Sequence, residues 1–397
     1  MIKLPYARAD FGEMMREQCF YVDRTAFIER LEVHAPVYTM LLRPRRFGKS
    51  LWISILEHYY DVNQTAYFNI LFGNLHIGQH KTPSANQYRI LRFDFSGIET
   101  NDVSKVQEAF LLKVKDGFIH FAHAYAHQFE PDIETVLRQQ TLASSVAVEF
   151  FLAYRKQPNP PPIYLLIDEY DQFTNELLSF HFADFKEIVS RNGYVRKFYE
   201  VLKEAAMKGT IARIFMTGVA PVTVDSMTSG FNIVTDLSRH PFFHDLLGFT
   251  EAEVTDLLQK IEVSDVQLPS ILEDLRNWYD GYRFYRNAKT HLYNPEMVLY
   301  FMQYFQSVRE YPEKMLTANV ATDYKKIANI FRIANEETLI IEQLTQFLET
   351  GSIKSYLTER FNVELGFTIS DIWSMLFYSG MTTIHWAMIT RFNCRIM

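Results

Sequence analysis

The sequence predicts an α/β protein: a mostly parallel sheet flanked by helices, then a mainly helical region. Three observations predict it. Short apolar runs rich in β-formers alternate with helical stretches from Val37 to Leu247, the order that builds parallel sheets covered on both faces. A glycine-containing loop, RPRRFGKS, joins the first such run to a helical stretch. After Leu247 the strand signals thin out, and mostly helical sequence continues as far as Leu357.

Each element has its own signal. Residues 1–36 read as a lead-in with a helix around TAFIERLE. PVYTMLL is a short buried strand. In SLWISILEHYYD, Leu51, Ile55 and Tyr59 recur at helical spacing. YRILRFDFSG is a second strand closing on a turn. Between Asn101 and Gln157 the pattern is helical, with VQEAFLLKVKDGFIHFAHAYAH the clearest case; its wide apolar girth suits core or partner contact rather than catalysis. QPNPPP breaks the chain. IYLLIDEYDQF is a third strand ending in carboxylates. VRKFYEVLKEAAMKG is a helix ending on a glycine cap, and TIARIFMTGVAP is a fourth strand. TEAEVTDLLQKIE starts a helix: Thr250 and Glu253 stand in a capping-box pattern imperfect by a residue type, and the acids Glu251 and Glu253 favour a helix start. The expected organisation is a core over 37–247, a helical lid over 248–310 and a helical C-terminal region over 311–397.

Composition sets limits. With 397 residues, 48% of them hydrophobic, two or three domains are expected. The net charge of -7 argues against general nucleic-acid binding but leaves room for a local basic patch and so for a nucleic-acid partner. Cys19 and Cys394 lie at opposite ends and fit no metal or disulfide framework, which suits a reducing cytoplasm. MIKLPYARADFGEMMREQ has no apolar signal core. IWSMLFYSGMTTIHWAMI is short for a bilayer span and fits a buried hairpin or helix, so no membrane partner is expected.

The loop carries the chemistry. In the pattern G-x-x-x-x-G-K-[ST], Gly48, Lys49 and Ser50 fill the last three positions and Arg43 replaces the first glycine. Gly48 lets backbone N–H groups approach phosphates, Lys49 reaches the β- and γ-phosphates, and Ser50 supplies a hydroxyl to Mg²⁺. The first glycine mainly shapes the loop, so its loss is the most tolerable departure. Arg45, Arg46, Phe47, Gly48, Lys49, Ser50 and Leu51 are the expected ATP contacts. Asp168 joins Ser50 as a Mg²⁺ ligand, and Glu169 orients the attacking water. Thr217, ending the fourth strand, is a candidate sensor of the γ-phosphate or of that water. Alone, GKS is an ordinary basic turn, DEYD a solvated strand end and Thr217 a threonine satisfying its own turn. Strand, GKS loop and apolar strand ending Asp-Glu, in this order, are much rarer, and together they predict a P-loop NTPase core.

LPYARADFGEMMREQCFYVDRTAFIERLE, LLRPRRFGKSLWISILEHYYD, LRFDFSG, LLIDEYDQF, FMTGVAPVTVDSMTSGFNIVTDLS, WYDGYRF and LYNPEMVLYFM resemble the bacterial AAA-ATPase-like family, in order, from about Leu4 to Ile384. The resemblance implies an additional-strand P-loop ATPase core followed by a helical lid, with the arginine-rich loop as an ordinary family trait. It also implies that a PD-(D/E)XK nuclease-like domain often follows. SMLFYSGMTTI looks like the segment before that domain, and only HWAMITRFNCRIM follows Ile384. That stretch is too short for a further sheet, so the chain reads as a truncated member or the ATPase half of a split gene, and DNA cleavage is not expected.

Other candidates are weaker. Asp225 and Asn232 bound a loop that is either nucleotide-sensing or structural. Arg239 and Arg283 are candidate arginine fingers, although ordinary surface arginines fit as well. The histidines show no ligand spacing. Tyr6 and Tyr21 could pack on an adenine, although aromatic residues here are mostly core. Two functions are carried forward: a Mg²⁺-dependent ATPase driving a conformational change, and a nucleotide-gated or degenerate module recruiting a partner without useful turnover. A homo-oligomer or protein partner suits either. A third reading, a DNA-processing component, is opposed by the acidic balance.

Overall fold

Five strands form the main sheet: β1 (Tyr38–Leu42), β2 (Arg89–Asp94), β3 (Ile163–Asp168), β4 (Ile211–Gly218) and β5 (Thr235–Asp236). Their order is β2-β3-β4-β1-β5, and every pairing is parallel. This computed structural model describes residues 2–157, 159–189, 193–221, 231–316, 337–361, 366–388 and 391–396. β3 is buried along its whole length, as its unbroken apolar run requires of a central parallel strand. β4 lies between β1 and β3, pairing Leu42 with Gly218 and Ile167 with Met216. The glycine loop after β1 and the acids ending β3 therefore flank the carboxyl end of β4, where ligands of such sheets bind.

Alternation along the strands assigns the helices to faces. Phe215 on β4 meets Trp52 of the loop helix Lys49–Tyr60 at 6.5 Å between ring centroids. Phe93 aligns with Ile167 and Met216 and so points the other way. It packs on Phe118 at 5.1 Å and Phe198 at 5.5 Å, from the helices Val103–Ala124 and Tyr194–Met207. The latter helix ends as expected. Gly209, at φ +74°, donates to the carbonyl of Ala206, and Thr210 to that of Ala205, the two bonds of a Schellman cap.

The region expected to be a lid comprises helices Glu251–Lys260, Leu268–Tyr279 and Pro295–Val308 around Val254, Leu258, Leu275 and Phe301. Both bonds of the Thr250–Glu253 capping box form, so the pattern judged imperfect is complete. The lead-in straddles two cores. Ile2, Leu4, Tyr6 and Phe20 pack on the lid, whereas Phe11, Phe27 and Ile28 belong to the main core.

The C-terminal region departs from its helical expectation. Helices Glu337–Thr350 and Ile369–Tyr378 accompany three strands, β6 (Ile353–Ser355), β7 (Thr382–Met388) and β8 (Arg391–Ile396), in an antiparallel sheet ordered β6-β8-β7. The run IWSMLFYSGMTTIHWAMI is neither hairpin nor single helix. Apolar residues on both sides of Ser379 and Gly380 hide the change of period there. Gly380, at φ +81°, divides it into a helix and a strand begun by β-branched Thr382, Thr383 and Ile384. The stretch after Ile384, expected to be too short for a sheet, completes β7 and supplies β8. Among the described residues no helix is long and apolar enough to cross a membrane.

Candidate functional site

The loop between β1 and its helix is anchored by the residue that breaks the glycine pattern. Arg43 is almost wholly buried, and its guanidinium donates to the carbonyls of Leu42, Ser238, Phe243 and His244 at 2.8–3.3 Å. It also lies 4.0 Å from the centre of the Phe284 ring. Burial pushes its pKa down to about 9, so it still carries charge at neutral pH. Phe47 is buried too, with its ring edge-on to Tyr282 at 4.8 Å and Phe284 at 5.5 Å. Gly48 sits at φ +92° directly before the helix, a left-handed position that glycine takes without penalty.

The cations of the loop are engaged by protein groups. Lys49 Nζ donates to the carbonyls of Arg43 and Pro44, both at 3.0 Å. Burial lowers its pKa, and the nearby Glu169, Asp168 and Asp171 oppose that shift. Arg46, at φ +70°, pairs with Glu296 of the lid at 2.7 Å, and Arg45 lies 4.0 Å from Glu176.

The acids at the end of β3 are held by hydrogen bonds. Asp168 Oδ1 accepts from the Thr217 hydroxyl at 2.6 Å and the Glu169 N–H at 3.1 Å. The Asp171 carboxylate accepts from the N–H groups of Val219 (3.0 Å) and Ala220 (2.7 Å) and from Asn175 Nδ2 (2.6 Å). Glu169 has φ +49°, unusual for a residue with a side chain and worth about 1–3 kcal/mol of strain. Burial raises its pKa, with Lys49 pulling it back.

These elements enclose a cleft of about 510 Å³, within the range of small-molecule sites. Arg45 to Leu51, Ser96, Glu169 and Gln172 line one end. The lead-in (Pro5, Ala7 to Ala9, Phe20 to Val22, Arg24) and lid (Gly248, Phe249, Leu299) line the other. Arg24 fastens that end by donating to the Gly248 carbonyl at 2.7 Å and forming a two-point ion pair with Glu253.

All seven expected ATP contacts line the cleft, as does Glu169. Asp168 and Thr217 do not. Both are buried behind Glu169, and the Thr217 hydroxyl, expected to sense phosphate or water, is spent on Asp168. Tyr21 lines the cleft and Tyr6 does not; Tyr6 packs near Tyr300. Arg239 pairs with Glu359, and Arg283 donates to the His385 carbonyl, so neither is at the cleft. Asn232 accepts from Lys203, away from the cleft, and Asp225 lies outside the described residues. Sequence reasoning missed Arg24, Asp171, Gln172 and Glu296. Only Asp171 carried a signal, as the third acid of DEYD.

A family model described as a predicted AAA-ATPase matches residues 5–228. An uncharacterized protein in the vnfD 5′ region of Azotobacter chroococcum mcd 1 is 26% identical over 359 residues. That alignment covers 89% of this chain, which spans 62% of the relative's length. Among solved structures, a Walker-type ATPase of Pyrococcus abyssi aligns with a TM-score of 0.44 at 10% identity, over 100% of this chain and 96% of that one.

Proposed function

The chain belongs to the predicted AAA-ATPase family, and from that premise we propose that it binds ATP in the cleft and hydrolyses it to drive a conformational change between core (37–247) and lid (248–310). The observation that carries the reading is that the loop lysine and the strained glutamate ending β3 meet in one cleft.

In this reading the loop N–H groups from Arg45 to Ser50 cradle the phosphates. Lys49 leaves the carbonyls of Arg43 and Pro44 for the β- and γ-phosphates. Ser50, which lines the cleft, is the oxygen donor placed for Mg²⁺, which when bound would neutralise phosphate charge; Asp168, buried off the cleft, would reach the ion through water or Ser50. Thr217 aims Asp168 rather than touching ATP. Glu169 accepts a hydrogen bond from the attacking water and sets its direction. Arg46 exchanges Glu296 for phosphate, which would pass occupancy to the lid.

Titration with ATP, with and without Mg²⁺, and a phosphate-release assay test the reading. Lys49→Ala is expected to abolish binding; unchanged affinity in the folded variant removes the site. Glu169→Gln is expected to bind normally and turn over about 10²–10⁴-fold more slowly; equal turnover removes Glu169 from the mechanism. Because Glu169 acts ionised and burial raises its pKa, turnover should fall with acidification at a pH above the ordinary glutamate range. A limb at the ordinary value would contradict that role.

A further inference from the structure

We propose that Gln172 is a second catalytic residue, holding the attacking water together with Glu169. The inference rests on the ATPase reading above. Gln172 opens the helix Gln172–Phe180, and its N–H donates to the Glu169 carbonyl at 3.2 Å. A single turn thus joins the two residues. Both line the cleft, as do Lys49, Ser50 and Ser96. Gln172 Oε1 is shielded from solvent and has no hydrogen-bond partner among the described residues. A buried amide oxygen left unpaired in this way is destabilising. The residue lines the cleft, so a side-chain rotation that turns this oxygen into the cavity would pair it with a donor that arrives with the ligand.

The chemistry suits a water. Water offers two O–H donors and one lone pair for attack. Glu169, ionised, accepts one proton and Gln172 Oε1 the other, which leaves the lone pair directed at the γ-phosphorus. An ionised carboxylate only accepts, whereas the amide also has an NH₂ group that can donate to a γ-phosphate oxygen. Gln172 therefore bridges nucleophile and electrophile, and Glu169 alone cannot. In the step, the water oxygen bonds to the γ-phosphorus. The bond from that phosphorus to the β,γ-bridging oxygen breaks, its electron pair staying on ADP. The released proton passes to Glu169, giving ADP and inorganic phosphate.

The wild-type chain, Gln172→Ala and Gln172→Glu are compared for ATP affinity and for phosphate release across pH. Gln172→Ala is expected to lower turnover on the order of 10²-fold, with ATP affinity within about twofold because the water is held only for chemistry. Gln172→Glu keeps the shape but adds an acid beside Glu169, which already faces Asp168, Asp171, Lys49 and Arg45. It should slow turnover and move the acid limb to higher pH, a shift that a merely structural role would not produce. If Gln172→Ala does not fold, the isosteric variant decides alone. Full turnover in either variant, or loss of affinity in step with turnover, overturns the proposal. No ATP hydrolysis by the wild type would defeat the ATPase reading itself and this inference with it.

Discussion

The two walls of the cleft are held in different ways. On the acidic side only Glu169 faces the cleft, and the buried Asp168 and Asp171 beside it are fixed by a buried hydroxyl, main-chain N–H groups and an amide. These partners belong to the same sheet end and need not move when ligand arrives. On the basic wall, Lys49 rests on loop carbonyls and Arg46 on a lid glutamate. Phosphate oxygens can take over both sets of contacts. The difference teaches that this site preorganises its acids and stores its cations. Arg43 is the exception among the loop cations, because neither it nor its carbonyl acceptors line the cleft.

Variants can break or sharpen this contrast. The largest effect is expected at Arg43, where Arg43→Ala strands several buried carbonyls and should cost about 3–5 kcal/mol of stability in urea titration. A cost below 1 kcal/mol would mean that the loop does not hang on it. Next, Asp171→Ala unpairs the Val219 and Ala220 N–H groups and should cost about 2–3 kcal/mol. The smallest effect is expected at Glu296→Gln. Arg46 is about half exposed, so the pair is worth about 0.2–1 kcal/mol. Freeing Arg46 should tighten ATP binding roughly twofold to fivefold with little change in stability. Weaker binding there, or an Asp171→Ala variant as stable as wild type, would erase the distinction between the walls.

Local signals in the sequence reached β1 to β4, the loop, the glycine-capped helix and the acids of β3, because each is encoded within a few residues; β5, only two residues long, was missed. Strand order is not local: β4 separates β1 from β3 through pairings that join residues far apart in the chain. Arg43 was legible only as a missing glycine, since a lone arginine reads as a surface cation until its acceptors, some 200 residues on, are known. Arg24 and Glu253 were illegible as a pair for the same reason. The C-terminal sheet was missed because β6 is only three residues long and β7 follows a helix of similar apolar content across Gly380.

The turn at Gly380 presses on the back of the phosphate loop: a Cβ there would come within 2.8 Å of Pro44. Beyond residue 228, where the family match stops, lie most supports of that loop and its surroundings. Ser238, Phe243 and His244 hold Arg43, Tyr282 and Phe284 hold Phe47, and Glu253 holds Arg24. The segment that identifies the protein is thus not a segment that could be cut out intact. A fragment ending there would keep every residue assigned to the nucleotide while shedding the scaffold that shapes them. Swapping or grafting this module would have to carry the distal half along with it.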